Sequence, residues 1–226
     1  MKHTTLLVGG NSGIGLELAR KLVARGDQVV AATRSNDRLA ALGVPTQPFE
    51  ATDPEPSLEL PETIDGFVYL PGTINLKPFH RLTPEDFHHD LQVNLHGAVR
   101  ALQVALPALK RSKQASVVLF STVAVGVGMP FHASIAAAKG AVEGLVRSLA
   151  AEWAPGIRVN AVAPSLTDTK LAANLLADDK RREAAAGRHP LREIGAAGDA
   201  ADLVAFLLSP ASGFMTGQVL RPDGGL

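Results

Sequence analysis

The sequence predicts an α/β fold: a doubly wound parallel sheet of about seven strands flanked by helices on both faces. Three observations lead there. Apolar runs of strand length alternate with helix-period segments along the whole of residues 1–226. The first run, Leu6–Val8, passes at once into a glycine-rich turn and then a helix reaching Ala24. With 226 residues, 46% of them hydrophobic, the chain fills one such domain with a sizeable core.

The remaining elements follow in order. Gln28–Thr33 is the second strand, and a helix over Asn36–Leu42 follows it. Pro45–Phe49 is a weak third strand. Asp53–Pro61, rich in proline and acid, reads as a loop, because the fourth strand, Gly66–Leu70, comes directly after it. Thr83-Pro84-Glu85-Asp86 starts a helix: a hydroxyl cap, proline at the first helical position, acids in the first turn. Phe87, Leu91, Leu95, Ala98, Leu102 and Leu106 continue it at a spacing of three or four, as far as Leu109. Ser116–Ser121 is the fifth strand, Ala133–Trp153 a helix, and Arg158–Ala163 the sixth strand. Leu171–Gly187 is polar and alanine-rich; it is expected to form a helical excursion, within residues 171–198, that covers a substrate. Asp199–Leu208 is a helix and Gln218–Arg221 the last strand.

Composition excludes several classes of function. Lys and Arg number 22 and Asp and Glu 22, so nothing electrostatic favours a nucleic-acid or membrane partner. The absence of cysteine rules out disulfides and thiolate metal sites. The most apolar segment, Val117–Phe131, is broken by Ser121, Thr122, Gly126, Gly128 and Pro130, and is shorter than the ~20 residues of a membrane helix. The first strand begins close to Met1, so no leader segment is expected and the expected location is cytoplasmic. His80, His88, His89 and His189 share neither helical spacing nor acid partners in register, so no metal is expected.

The glycine turn carries the first chemistry. Gly9, Gly13 and Gly15 stand at GxxxGxG spacing between strand and helix. Such a turn aims helix N-terminal N–H groups at one point, where a diphosphate is attracted. This is the dinucleotide logic of a Rossmann-type sheet. That fold chooses its cofactor at the end of the second strand, where an acid binds the ribose hydroxyl and an arginine accommodates a 2′-phosphate. Here the strand ends Thr33-Arg34-Ser35 with no acid, which favours NADP(H) over NAD(H). The alternative makes Arg34 an ordinary solvated loop residue.

With the later segments added, the chain resembles the short-chain dehydrogenase/reductase family over nearly all its length. The glycine turn matches that family's cofactor turn. Leu70-Pro71-Gly72 stands where the family has Asn-Ala-Gly, keeping only the glycine. Asn94 matches the helix asparagine that holds a water for proton relay. Phe120-Ser121-Thr122 matches the end of the fifth strand, where a serine polarises substrate, and Asn160-Ala161-Val162-Ala163-Pro164 the segment before the nicotinamide. Thr216-Gly217-Gln218 and Asp223-Gly224-Gly225 match the C-terminal signature. The resemblance implies that Gly9, Asn11, Ser12, Gly13, Ile14 and Gly15 line the diphosphate and its ribose. It implies that Leu70, Pro71, Gly72, Pro164, Thr167 and Thr169 also border the cofactor, with Lys139 on the nicotinamide ribose. It further implies a homodimer or homotetramer built on the Phe87–Leu109 and Ala133–Trp153 helices. Ala133, Ala137 and Ala141, and likewise Ala136, Gly140 and Gly144, give the second of these small-residue faces.

The departure lies at the active site. The family places a tyrosine four residues before its lysine, on one helix face, so that the ammonium lowers the phenol pKa. Here Lys139 is kept and the tyrosine position is Ile135; the only tyrosine, Tyr69, lies on the fourth strand. The serine position, thirteen residues before Ile135, is Thr122, while Ser121 should point to the opposite face. Isoleucine transfers no proton, and an alkoxide left unprotonated in a dry pocket is costly. Three readings stay open. One is a reductase of a small organic carbonyl in which another group gives the proton. That group is His132, on the Ile135 and Lys139 face of a continuous helix, unless Pro130 holds it outside as a cap; or it is Lys139 with a water on Asn94. The second is reduction of an activated double bond or imine that needs little acid. The third is a cofactor-binding pseudoenzyme or sensing module.

Overall fold

The structure, a computed structural model, describes residues 3–35 and 37–226. β1 (Thr4–Val8) pairs in parallel with β2 (Gln28–Ala32) on one side and β4 (Gly66–Tyr69) on the other. α1 (Gly13–Ala24), α2 (Asp37–Ala40) and β3 (Thr46–Gln47) complete the first half; α3 (Pro84–Leu91), α4 (Gly97–Leu109) and β5 (Ala115–Phe120) extend the second. After the one-turn α5 (Ala124–Val127) come α6 (Ala133–Trp153) and β6 (Ile157–Val162). β7 (Thr167–Asp168), α7 (Asp179–Ala186), β8 (Gly195–Ala196), α8 (Ala197–Leu208) and β9 (Val219–Leu220) follow. The seven-stranded sheet runs β3-β2-β1-β4-β5-β6-β9, every pair parallel. Strand order reverses between β1 and β4, which opens a crevice beyond their carboxyl ends, where ligands bind in such sheets.

Both faces of the sheet are covered, which is why its strands read as unbroken apolar runs. Leu6, Phe67, Val117 and Val159 pack with Leu109 of α4 and Val142 and Val146 of α6. Leu7, Val68 and Val118 pack on the other face with Leu18 and Leu22 of α1 and Val204 and Leu207 of α8. Arg158 at the foot of β6 ties α8 down, donating to the carbonyls of Leu207 and Ser209 and to the Ser212 hydroxyl.

α3 starts as expected: the Thr83 hydroxyl accepts from the Asp86 amide while the Asp86 carboxylate accepts from the Thr83 amide. The single helix expected from Phe87 to Leu109 is instead two, separated by a π turn at Gln92–His96. Side chains there occupy carbonyls that a regular helix would use: the Tyr69 hydroxyl donates to Val93 O (2.6 Å) and the Asn94 amide to Asp90 O (2.8 Å). Gly97 follows because a Cβ there would collide with the Tyr69 hydroxyl.

Other boundaries are corrected at their ends. The second helix covers only Asp37–Ala40, with Asn36 outside the described residues; the third strand shrinks to Thr46–Gln47 and the last to Val219–Leu220. In each, ladder or helical bonds give way to turns carrying Gly43 or Gly217 at positive φ. The sixth strand begins and ends one residue early, at Ile157 and Val162, and the fifth likewise, at Ala115 and Phe120. The excursion after β6 begins as a 3-10 helix at Lys170–Leu176 and becomes α-helical only where the Asp178 carboxylate accepts from the Arg181 amide. Ala172, Leu176 and Ala185 bury themselves against Leu166 and Ile194, and β7 pairs with β8 to close the segment.

Candidate functional site

The first crossover forms a cradle that side chains would fill. Gly9, Gly10 and Gly13 all have positive φ (89°, 106° and 53°), a conformation side chains resist. A Cβ on Gly15 would sit 2.5 Å from Gly10 Cα and 2.9 Å from Leu70 Cδ1. One on Gly9 would meet Leu70 Cβ at 3.1 Å, and one on Gly13 would meet Thr169 Cγ2 at 3.1 Å. Gly9, Gly13, Gly15, Leu70, Pro71 and Thr169 therefore meet around the N-terminus of α1. Ser12 stands at its N-cap position, with no side-chain bond to the helix, and half-buried Ile14 opens the first turn. This geometry fits the diphosphate of a dinucleotide: a helix N-terminus whose first turn has no side-chain cap, entered by glycines that carry no side chain of their own. Gly10 was not among the glycines that the spacing singles out, yet it has the most positive φ of the turn.

Asn11 links this cradle to the end of β2. Its amide nitrogen donates to Ser35 Oγ (3.0 Å) and Asp37 Oδ1 (2.6 Å), and its oxygen accepts from the amides of Arg38 and Leu39. The Asn11 bond holds the Asp37 carboxyl below its usual range. Thr33 Oγ1 donates to Ser35 O, which fixes the turn, and Arg34 projects from it exposed. Arg38 and Asp37 bring two further charges to this edge that the sequence reading passed over.

The second cluster surrounds Gly72. A Cβ there would lie 3.3 Å from Asn94 Oδ1 and 3.7 Å from Lys139 Nζ, so both polar atoms face one small space. Lys139, 7% exposed, donates to Phe120 O (2.9 Å) at the end of β5. Burial pulls its pKa down to about 8, while the Asp90 charge pulls upward. Thr122, half-buried, accepts weakly from the Ala124 amide (3.4 Å). Ser121 points elsewhere, donating to Glu143 Oε1 (2.7 Å). Ile135 is buried on α6 beside Ser134, whose hydroxyl is also buried and has no partner among the described residues. His132 is not a turn of the helix: it is the N-cap, at φ −102° and ψ 12°, and its Nδ1 engages Pro130 O at 2.7 Å. Its neighbour Phe131 has φ 69°, which turns the chain away from the helix axis. Tyr69 is committed to Val93, and burial raises its pKa.

A third group comes from the segment after β6. Pro164 O accepts from the Val123 amide (3.2 Å), joining this segment to the β5 end. Buried Thr167 donates to Ser165 O (3.0 Å). Ser165 Oγ pairs with Nε2 of buried His189, whose Nδ1 engages Ala185 O, so the covering segment is tied to the Pro164 turn. A cavity of about 200 Å³ opens beside Ser165 and Thr167. Sequence reasoning missed this pair, because 24 residues separate its members.

The family described as enoyl-(acyl carrier protein) reductase matches residues 8–226. A tropinone reductase homolog of Arabidopsis thaliana is 35% identical over 98% of this chain and 91% of its own length. Among solved structures, the ligand-free aldohexose dehydrogenase of Thermoplasma acidophilum superposes with TM-score 0.89 at 27% identity, over 100% of this chain and 94% of that one. A short-chain dehydrogenase/reductase of Brucella melitensis gives 0.88 at 29%, over 100% and 98%. A gluconate 5-dehydrogenase from Burkholderia cenocepacia, in complex with NADP and tartrate, gives 0.88 at 26%, over 100% and 96%.

Proposed function

The chain belongs to the short-chain dehydrogenase/reductase family, and on that premise we propose that it is an NADP(H)-dependent oxidoreductase. Its reaction is hydride transfer to a small organic carbonyl or related substrate, and Lys139 takes the role of proton donor. When bound, the dinucleotide supplies the hydride. Gly9, Asn11, Ser12, Gly13, Ile14 and Gly15, with Thr169 packed against Gly13, hold its diphosphate side, Leu70, Pro71 and Gly72 the strand-four side, and Pro164 and Thr167 the nicotinamide side. Arg34, flanked by Thr33 and Ser35, takes the 2′-phosphate, which an exposed guanidinium at a strand end binds through paired N–H donors.

The observation that carries the reading is the buried ammonium of Lys139 facing Asn94 across Gly72, in a family site with no phenol. As hydride reaches the carbonyl carbon, the π pair moves to oxygen. Thr122 donates a hydrogen bond to that oxygen, and the Lys139 ammonium, directly or through a water held on Asn94, gives it the proton. Burial supports this role, since an amine brought close to neutral pH is a better acid than a free lysine. Residues 171–198 cover the substrate. The small residues of α6 support assembly into dimers or tetramers: Ala133, Ala137 and Gly144 all lie exposed, and nothing lies within 4 Å of a Cβ placed on Gly144. Among the described residues no helix is long and apolar enough to cross a membrane, and a cytoplasmic location remains part of the proposal.

The test is NADPH consumption over a panel of ketones, quinones and imines. Turnover of at least one class is expected; binding of NADPH with turnover of none overturns the reading. Two variants accompany it. Arg34→Ala is expected to raise the KM for NADPH by about tenfold and leave that for NADH within about twofold, the size of a lost charged contact. His132→Ala is expected to keep kcat within about twofold, because the imidazole is held by Pro130 at a cap rather than presented by the helix. A loss of ~100-fold or more would instead make histidine the acid.

A further inference from the structure

We propose that Asp90 is the positioning residue of this proton-donating site. It turns the Asn94 amide oxygen towards the space beside Gly72 that Lys139 also faces, and it sets a buried carboxylate behind that space. The proposal rests on the reading of Lys139 as donor and adds to it a residue outside the cofactor motifs.

Asp90 is fully buried, and it is the one buried residue of α3. A helix that spends its core-facing position on a carboxylate bears a large desolvation cost. Asp90 Oδ1 accepts from the Thr73 hydroxyl at 2.6 Å. With its proton so committed, the Thr73 oxygen accepts from Asn94 Nδ2 at 2.9 Å, and the same nitrogen donates to Asp90 O at 2.8 Å. Both amide protons of Asn94 are thus used on the Asp90 side. Its Oδ1 is left buried, with no partner among the described residues, on the side of Gly72 and Lys139. Reversing the amide would set oxygen against Asp90 O, so Asp90 and Thr73 together choose the face Asn94 shows to the site.

Charge gives the second half of the argument. Asp90 Oδ2 has no partner among the described residues, so that carboxylate is not neutralised by contact. The other charges on the surrounding elements are engaged or wet. On α3, Asp86 is paired with Lys77 of the preceding loop, and His88 and His89 are exposed. On the π turn His96 is exposed, on α4 Arg100 donates to Gln92 Oε1 and Ala51 O, and on α6 Glu143 is taken by Ser121 and Arg147. Asp90 and Lys139 remain as the buried opposite charges, and in a dry interior the Asp90 charge favours the ammonium form of Lys139.

The experiment is a direct titration of Lys139 by NMR, in the full-length protein carrying ¹³C-labelled lysine, followed at Cε. Asp90→Asn keeps an acceptor for Thr73 and nearly the same volume, and removes only the charge. The Lys139 midpoint, near 8 in the parent, is expected to fall by about one unit in Asp90→Asn. The alkaline limb of NADPH-dependent turnover should move down with it. Should Asp90→Asn not fold, Asp90→Leu removes the same buried charge with an apolar side chain and is read in the same way. Thr73→Val cuts the link to Asn94 while sparing the charge. It should lower kcat by about tenfold with an unmoved Lys139 midpoint, since misplaced groups of this kind cost that much or more. A Lys139 midpoint that stays in place in folded Asp90→Asn or Asp90→Leu overturns the proposal whatever the activity. Full turnover in Thr73→Val overturns its orienting half. A midpoint that falls in a protein with no turnover leaves Asp90 coupled to Lys139 and overturns the redox reading instead.

Discussion

Replacing Lys139 by methionine is expected to lower kcat by about 10²–10⁴-fold with the fold intact, the range a positioned general acid supplies. Methionine matches most of the lysine stem, but it leaves the buried Asp90 charge without its opposite and the Phe120 carbonyl without its donor, so thermal stability should fall while the fold holds. The pH dependence gives a sign to check. Burial places the Lys139 pKa at about 8, below that of a free lysine. Carbonyl reduction needs the ammonium, which is present below that value. The reductive rate should therefore be level at lower pH and fall about tenfold per unit above about 8. Oxidation of the alcohol needs the free amine and should rise over the same range. Lys139→Met should show neither limb. A reductive rate that rises through pH 8 would remove lysine as the acid.

The second large effect belongs to the cradle. Gly15→Val puts a branched side chain where Cβ alone would stand 2.5 Å from Gly10 Cα. Backbone cannot yield there without moving the turn proposed to hold the cofactor. Binding of NADPH is expected to weaken by ~100-fold or more, and stability to fall by about 1–3 kcal/mol, the usual cost of overpacking. Gly26→Ala is the matching control. Gly26 also has positive φ (88°), but a Cβ there meets nothing within 4 Å. That variant should lose about 1 kcal/mol from backbone strain and bind cofactor unchanged. Calorimetric titration beside a melting curve separates the two.

Much of this was legible in the chain because it is written in local periodicity and turn chemistry. The Ala133–Trp153 helix matches its expected bounds, because small and apolar residues recur and no proline interrupts them between Pro130 and Pro155. The strand, glycine turn and helix at the N-terminus announce the crossover for the same reason. What stayed hidden depends on partners distant in sequence. Nothing around residue 94 signals that Tyr69, a strand away, takes the Val93 carbonyl and opens the helix into a π turn. β7 and β8, two residues each, are too short to carry alternation. His132 reads as helical by count alone. Its exclusion from α6 follows from Phe131 at positive φ, which spacing cannot foretell. Asp90 looks like one more surface acid on a polar helix. Only the packing of α3 on α6 shows that it points inward, one helical turn before Asn94.

The most direct test of the central claim is calorimetric titration of the pure, folded protein with NADPH and, separately, NADH. One molecule of NADPH per chain is predicted, bound at least about tenfold more tightly than NADH, the difference a single guanidinium–phosphate contact supplies. The absence of binding by either nucleotide would contradict the cradle and the redox function built on it, and tighter binding of NADH would contradict the part given to Arg34.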